Sequence, residues 1–311
     1  MRILICGSLA YDTIMVFPDR FGRHILPDQT HMLSVSFQIT DMRRDWGGCA
    51  GNIAYNLRAL GGTPVIMATL GEDGGPYRER IANLGIDSGG VKTVAGTYTA
   101  QAFIITDLDD NQITAFHPGA MNQSQVNRVA DVADLGLGIV APDGRDGMRE
   151  HAAQFAAARI PFIFDPGQGL PLFTGPELVD MIDQASYLAV NDYEAKLLEE
   201  RTGLSLDAVA ERVEALIVTM GAEGSVIHAR GNHYAIPPVP AREVVDPTGC
   251  GDAYRAGLLY GISQRWPWEK TGRLASLLGA VKIGSRGGQN HDVNRERVAT
   301  LYSEAFGTSL W

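Results

Sequence analysis

The chain has 311 residues, 45% of them hydrophobic and 20% charged, with a formal net charge of −10. That length suits one large α/β domain or two small ones, with a sizeable core, and the acidic balance argues against nucleic acid or an anionic membrane as partner. Cys6, Cys49 and Cys250 are an odd number, far apart and without a C-x-x-C pair, which speaks against a disulfide framework or a zinc site.

Ile3 to Gly7 is an apolar run ending in Gly-Ser, too short for a signal peptide and fitting a central parallel strand. Asp12 then falls at that strand's carboxyl end, where open α/β sheets bind ligands. Residues 14–46 break the βα rhythm: Val16, Phe17, Val35, Phe37 and Ile39 are scattered among Pro18, Gly22 and Pro27, which favours short irregular strands. Trp46-Gly47-Gly48-Cys49-Ala50-Gly51-Asn52 leads into a helix with Ile53, Leu57 and Leu60 on one face. Pro64 to Gly71 is a second strand. Ala102 to Thr106 and Gln112 to Phe116, joined by a turn over 107–111, carry a hairpin signature.

Leu137 to Ala141, Pro161 to Asp165 and Ala185 to Asn191 follow as parallel strands separated by helical stretches near 148–158 and 177–182. Right-handed crossovers put Asp165, Gln168 and Asn191 on one edge. Leu216 to Thr219 is a strand entering the turn Met220-Gly221-Ala222-Glu223-Gly224, and antiparallel edge strands follow over 226–228 and 233–236. The chain ends in long helices over 252–260 and 268–283.

The chemistry concentrates in Val245-Asp246-Pro247-Thr248-Gly249-Cys250-Gly251-Asp252-Ala253. Gly249, Cys250 and Gly251 can turn three backbone N–H groups to one point at a helix N-terminus, an anion site. Asp252 stands where its carboxylate can take a proton from a hydroxyl aimed at that anion, the equipment of phosphoryl transfer to an alcohol. A plain glycine turn with an acid in the first helical turn has the same residues.

DPTGCGDAYRAG resembles the C-terminal signature of the ribokinase/PfkB carbohydrate-kinase superfamily, D-T-x-G-A-G-D, here with Pro247 and Cys250 as departures. Gly47-Gly48 to Asn52 resembles its N-terminal signature about 200 residues earlier, Asn191 to Glu194 its N-x-x-E motif, and Thr219-x-Gly221-x-x-Gly224 its nucleotide-binding turn. The resemblance covers nearly the whole chain. It implies one ribokinase-like α/β/α domain over 1–311, three-layered around a mostly parallel central sheet, with a β lid from about 13–46 and 97–117. By the same resemblance Asp252 is the base, and Gly249, Cys250 and Gly251 hold the phosphate. Asp12, Gly48 and Asn52 then grip sugar hydroxyls. Thr219, Gly221 and Gly224 approach ATP, and Gly279, Lys282 and Ile283 wall its adenine. Asn191 and Glu194 organise Mg²⁺ largely through water, and Asp246 with the Ser285-Arg286-Gly287-Gly288 turn holds a K⁺.

Phe116-His117-Pro118-Gly119-Ala120-Met121 and Phe164-Asp165-Pro166-Gly167-Gln168 look like the nucleoside-kinase branch, which includes adenosine kinases. A purine ribonucleoside accepting phosphate on its 5′-hydroxyl is the expected substrate, with Gln101, Phe103 and Gln168, besides Phe17 and Met121, available to its base. A sugar kinase is the alternative; a sugar-phosphate acceptor would need more basic residues than Arg43 and Arg44 supply. A sensor that lost catalysis has no use for Asp252. No G-x-x-x-x-G-K-[ST] occurs, and no G-x-G-x-x-G follows the first strand, which counts against P-loop and dinucleotide enzymes. The chain is expected to be cytoplasmic, a monomer or homodimer, with no nucleic-acid or membrane partner.

Overall fold

In the computed structural model, which describes residues 1–25, 34–109 and 111–311, the chain opens with β1 (Arg2–Cys6), whose Ile3, Leu4, Ile5 and Cys6 are all buried. A strand apolar on both sides needs a layer against each face, and two separate cores supply them. Ile3 and Ile5 face one core, Leu4 and Cys6 the other. Burying each such aliphatic side chain contributes about 1.5–3 kcal/mol.

Around β1 lie β4 (Thr63–Leu70) and β5 (Asp87–Thr93) on one side. On the other come β8 (Leu135–Val140), β9 (Phe162–Phe164), β10 (Tyr187–Asn191) and β11 (Ala215–Thr219), all parallel. The hairpin β12 (Ser225–Ala229) and β13 (Asn232–Ile236) closes that edge antiparallel, giving the order β13-β12-β11-β10-β9-β8-β1-β4-β5. β5 carries no hydrophobic alternation in its Asp-Ser-Gly-Gly; it is an edge strand held in place by β4. The helices α1 (Cys49–Ala59), α2 (Gly75–Asn83), α7 (Cys250–Ser263), α8 (Trp268–Lys282) and α9 (Arg295–Phe306) cover one face. α3 (Arg145–Ala157), α4 (Gly175–Gln184), α5 (Asp192–Thr202) and α6 (Leu206–Ala210) cover the other. This is the expected three-layer α/β/α arrangement. Ala253 to Gly261 of α7 are all buried because α1 and α8 flank the helix. Gly257 meets the Ala275 backbone so closely that a Cβ would stand 2.5 Å from its Cα.

A second sheet of four strands, ordered β3-β2-β6-β7, is built from β2 (Ala10–Val16), β3 (Asp41–Gly47), β6 (Ala100–Thr106) and β7 (Gln112–His117). Of the stretch 14–46, expected as short irregular strands, residues 14–16 and 41–46 belong to two regular seven-residue strands, paired antiparallel from Ala10–Gly47 to Val16–Asp41, whereas Phe17, Val35, Phe37 and Ile39 lie outside any strand. Pro27, and Asp110 in the expected turn, lie outside the described residues. Asp12, expected at the end of the first strand, lies within β2, because the chain leaves β1 at Gly7-Ser8 and crosses directly into the small sheet. The small sheet is tied to the β4–α2 turn through Asp73, which accepts from the Thr99 amide (2.7 Å) and Gln101 Nε2 (3.0 Å).

Candidate active site

Gly249 caps α7 with a left-handed φ of 79°, a conformation glycine adopts without penalty. Past this turn the amides of Gly249, Gly251 and Asp252 have no hydrogen-bond partner among the described residues, whereas the Cys250 amide donates to the Pro247 carbonyl at 3.1 Å. The free donors therefore differ from the expected trio: Asp252 takes the place of Cys250, because the 247–250 turn consumes that N–H. Free amides and the positive helix end together make an anion site.

The Asp252 carboxylate is held from α1. Asn52 Nδ2 donates to its Oδ2 at 2.8 Å, and the Cys49 thiol lies beside it. Asn52 Oδ1 in turn accepts from Gln289 Nε2 at 3.2 Å. Both ends of Asn52 are thus engaged by protein, so the side chain expected to reach sugar hydroxyls is a support for Asp252 in this structure. Burial, then the nearby Asp165, pushes Asp252 up from an ordinary 3.8 to about 6, while Asn52 and Arg255 pull the other way. Such a base is ionised at neutral pH yet accepts a proton more readily than an exposed aspartate.

Arg255, one turn further along α7, was not singled out by any motif. Its Nε and Nη2 grip both oxygens of Asp165 (3.0 and 3.1 Å), with each side chain 6% exposed. The pair joins α7 to the carboxyl end of β9 directly beneath the anion site. Gly251 lies close enough that a Cβ there would be 3.8 Å from Arg255 Nη1.

Asp12 is raised to about 6 by burial first, then by Asp45, Asp246 and Asp252; its register partner Asp45 lies against Gly287, where a Cβ would stand 3.1 Å from the Asp45 carboxyl carbon. Any side chain at Gly47 would strike the Asp12 carboxylate. Gly48, with φ 86°, packs on the Ser8–Ala10 backbone, where a Cβ would stand 2.5 Å from Ser8 O. In a sheet, directly opposed residues share a face. Asp45, Asp12, Ala102 and Phe116 form one such row, and Ile14 and Ile104 continue it on the same face. Gln101 and Phe103 belong to alternate rows and so point to the opposite face. Gln101 there bonds Asp73, and Phe103 is 39% exposed. Phe17 is buried in a cluster with Phe21 and Phe37. The apolar surface beside Asp12 is therefore Ile14, Ile104 and Phe116, in place of the expected Gln101 and Phe103, because Ala-Phe-Ile-Ile is apolar on both parities and does not state its own facing. Phe116 is 50% exposed. Gln168 is exposed in a short turn after β9.

Asn191 and Thr219 are register partners at the carboxyl edge of β10 and β11. Asn191 and Glu194 form a reciprocal capping box: Asn191 Oδ1 accepts from the Glu194 amide (2.7 Å) and Glu194 Oε2 from the Asn191 amide (2.8 Å). That leaves Glu194 Oε1 without a protein partner among the described residues. One free oxygen suits a hard cation held mainly through water; among the described residues no group of three or more His, Cys, Asp or Glu could hold a metal directly. Gly221 is exposed at the turn, with φ 55°, whereas Gly224 is buried and packs on the Ile236 carbonyl.

The residues expected to hold K⁺ do not fit it. Both Asp246 carboxylate oxygens accept backbone amides, from Thr248 (2.9 Å) and Gly287 (2.8 Å). The Asp246 and Ser285 carbonyls are already joined by Lys282 Nζ, at 2.8 and 2.9 Å. Lys282 is fully buried and is no adenine wall either.

A family model described as pfkB family carbohydrate kinase matches residues 14–295. The structure of Burkholderia thailandensis nucleoside kinase in complex with inosine superposes with a TM-score of 0.90 at 52% identity, covering 99% of each chain. The same enzyme in complex with ADP-inosine gives 0.88 at 54%, covering 99% of this chain and 97% of that one. A nucleoside kinase of Methanocaldococcus jannaschii is 31% identical over 260 residues, 83% of this chain and 85% of the relative.

Proposed function

The chain belongs to the pfkB carbohydrate-kinase family, and from that premise we propose that it is an ATP-dependent nucleoside kinase phosphorylating the 5′-hydroxyl of a purine ribonucleoside. The observation that carries this reading is the meeting of the Asp252 carboxylate with the free amides of Gly249 and Gly251. A hydroxyl placed there faces both its proton acceptor and the donors that stabilise charge on the transferring phosphoryl group.

Asp12 supplies two acceptor oxygens suited to a vicinal diol, the ribose 2′- and 3′-hydroxyls. The base then lies along Ile14, Ile104 and Phe116, an apolar strip that a free sugar would leave uncovered. The similar Burkholderia enzyme binds inosine, which favours a purine. Thr219 and Gly221 border the place for ATP. Mg²⁺, which Glu194 Oε1 would hold through water, supplies charge neutralisation at the phosphates when bound.

The test is kcat/KM for inosine, adenosine, guanosine, 2′-deoxyadenosine, ribose and fructose with MgATP under one set of conditions, with phosphorus NMR locating the new ester. Ribonucleosides should lead and yield 5′-monophosphates. The deoxynucleoside should lose about 1–3 kcal/mol of transition-state binding, since one carboxylate oxygen goes unpaired. A free sugar that outperforms every ribonucleoside would replace this reading with a sugar kinase.

A further inference from the structure

Lys282, the last residue of α8, has no exposed surface, and its ammonium reaches the Asp246 carbonyl at 2.8 Å and the Ser285 carbonyl at 2.9 Å. Lysine is seldom fully buried without a partner, and no carboxylate lies within salt-bridge reach of Lys282 among the described residues. Its contacts are two main-chain oxygens from two loops. One loop, 246–249, ends at the cap of α7. The other, 285–288, presses Gly288 against Asn52 and the Gly249 turn; a Cβ on Gly249 would stand 3.1 Å from the Gly288 Cα. The loops are further joined by the Gly287 amide on Asp246 and by the Val245 and Asp246 amides on the Ile283 carbonyl. The buried ammonium thus sits where the two walls of the anion site are stitched together. Its charge is felt by Cys250, Asp246 and Asp252.

Two carbonyl dipoles converging on a buried point are what a monovalent cation binds. Here that point carries a covalently tethered monocation. We propose that Lys282 is a built-in replacement for a dissociable monovalent cation, positioning the Gly249–Asp252 amides so that phosphoryl transfer requires no K⁺. It is a positioning residue, acting through the two loops and touching no reacting atom. The inference rests on the kinase reading, but its central readout does not.

The experiment compares the wild type with Lys282→Ala, which removes the ammonium and opens its space. Lys282→Met is the second variant; it removes the charge and keeps the packing should the alanine variant fold poorly. Wild-type unfolding temperature, measured without substrate, should be the same within error in equal concentrations of LiCl, NaCl, KCl and NH₄Cl. Lys282→Ala should unfold at a lower temperature in LiCl and be raised selectively by KCl and NH₄Cl. In turnover, wild-type kcat should differ less than twofold between Na⁺ and K⁺. The alanine variant should lose at least tenfold in kcat in Na⁺, recover part of it in K⁺, and keep its nucleoside KM. Lys282→Met, with its side chain filling the space, should lose kcat without ion-selective recovery. A wild type that K⁺ activates severalfold over Na⁺, or a folded alanine variant indifferent to the ion in both unfolding and kcat, overturns the proposal. Absence of nucleoside phosphorylation by the wild type in every buffer would overturn the kinase reading, while the unfolding comparison would still decide the role of Lys282.

Discussion

Replacing Asp252 with asparagine separates what its carboxylate contributes to catalysis from what it costs the fold. The substitution keeps the shape, and the new side-chain oxygen can still accept from Asn52 Nδ2, 2.8 Å away in the parent. Burial lifts the carboxyl from 3.8 to about 6, so the folded chain holds this proton more tightly than the unfolded one. The group therefore favours folding most below about pH 4. That contribution is lost as pH rises through about 6, and above it the ionised carboxylate is retained at a cost. At about 1.4 kcal/mol for each tenfold change, the cost is about 3 kcal/mol at most, and about 1–3 after allowing for partial solvent access. Asp252→Asn should thus be more stable than the parent at pH 8 by that amount, about 2–5 °C in melting temperature, with the gain vanishing near pH 4. Turnover should fall about 10²–10⁴-fold. The parent's kcat/KM should fall on the acid side of about pH 6, where Asp252 and Asp12, each pushed up to about 6 mainly by burial, take up protons. Calorimetry of both proteins across pH, with initial rates, checks all three. A variant less stable than the parent at every pH would refute the argument that burial strains this carboxylate, and near-parental turnover would refute its role as base.

Phe116→Ala should raise the nucleoside KM by about 5–150-fold through loss of about 1–3 kcal/mol of base stacking, whereas Phe103→Ala, on the other face of the small sheet, should change it less than twofold; steady-state kinetics on the pair decides which face binds the base. Arg255→Met leaves the buried Asp165 carboxyl without its bidentate partner and should destabilise the fold by about 3–5 kcal/mol, read by urea unfolding, with the added Asp165→Asn change recovering part of the loss; equal damage from the double variant would show that the ion pair itself is not the cause.

The parts of this protein legible in sequence are those whose physics is local. A glycine turn before a helix leaves amides free wherever it occurs, so the free donors at Gly249 and Gly251 and the Asp252 carboxylate beside them were legible, though not that the turn uses the Cys250 amide; the apolar runs at Ile3–Gly7, Pro64–Gly71 and Leu216–Thr219 announced buried parallel strands. The Asn191–Glu194 capping box is local in the same sense. Tertiary structure decided the rest. Whether β6 offers Phe103 or Ile104 to the site depends on pairing with β2 and β7, since a strand apolar on both parities does not state its own facing. Asn52 is committed to a carboxylate 200 positions away, and Lys282 to a carbonyl 36 positions away. Neither residue type nor spacing reveals such partners, because the closing force is the packing of α1 and α8 against α7, a long-range contact whose energy no single segment contains.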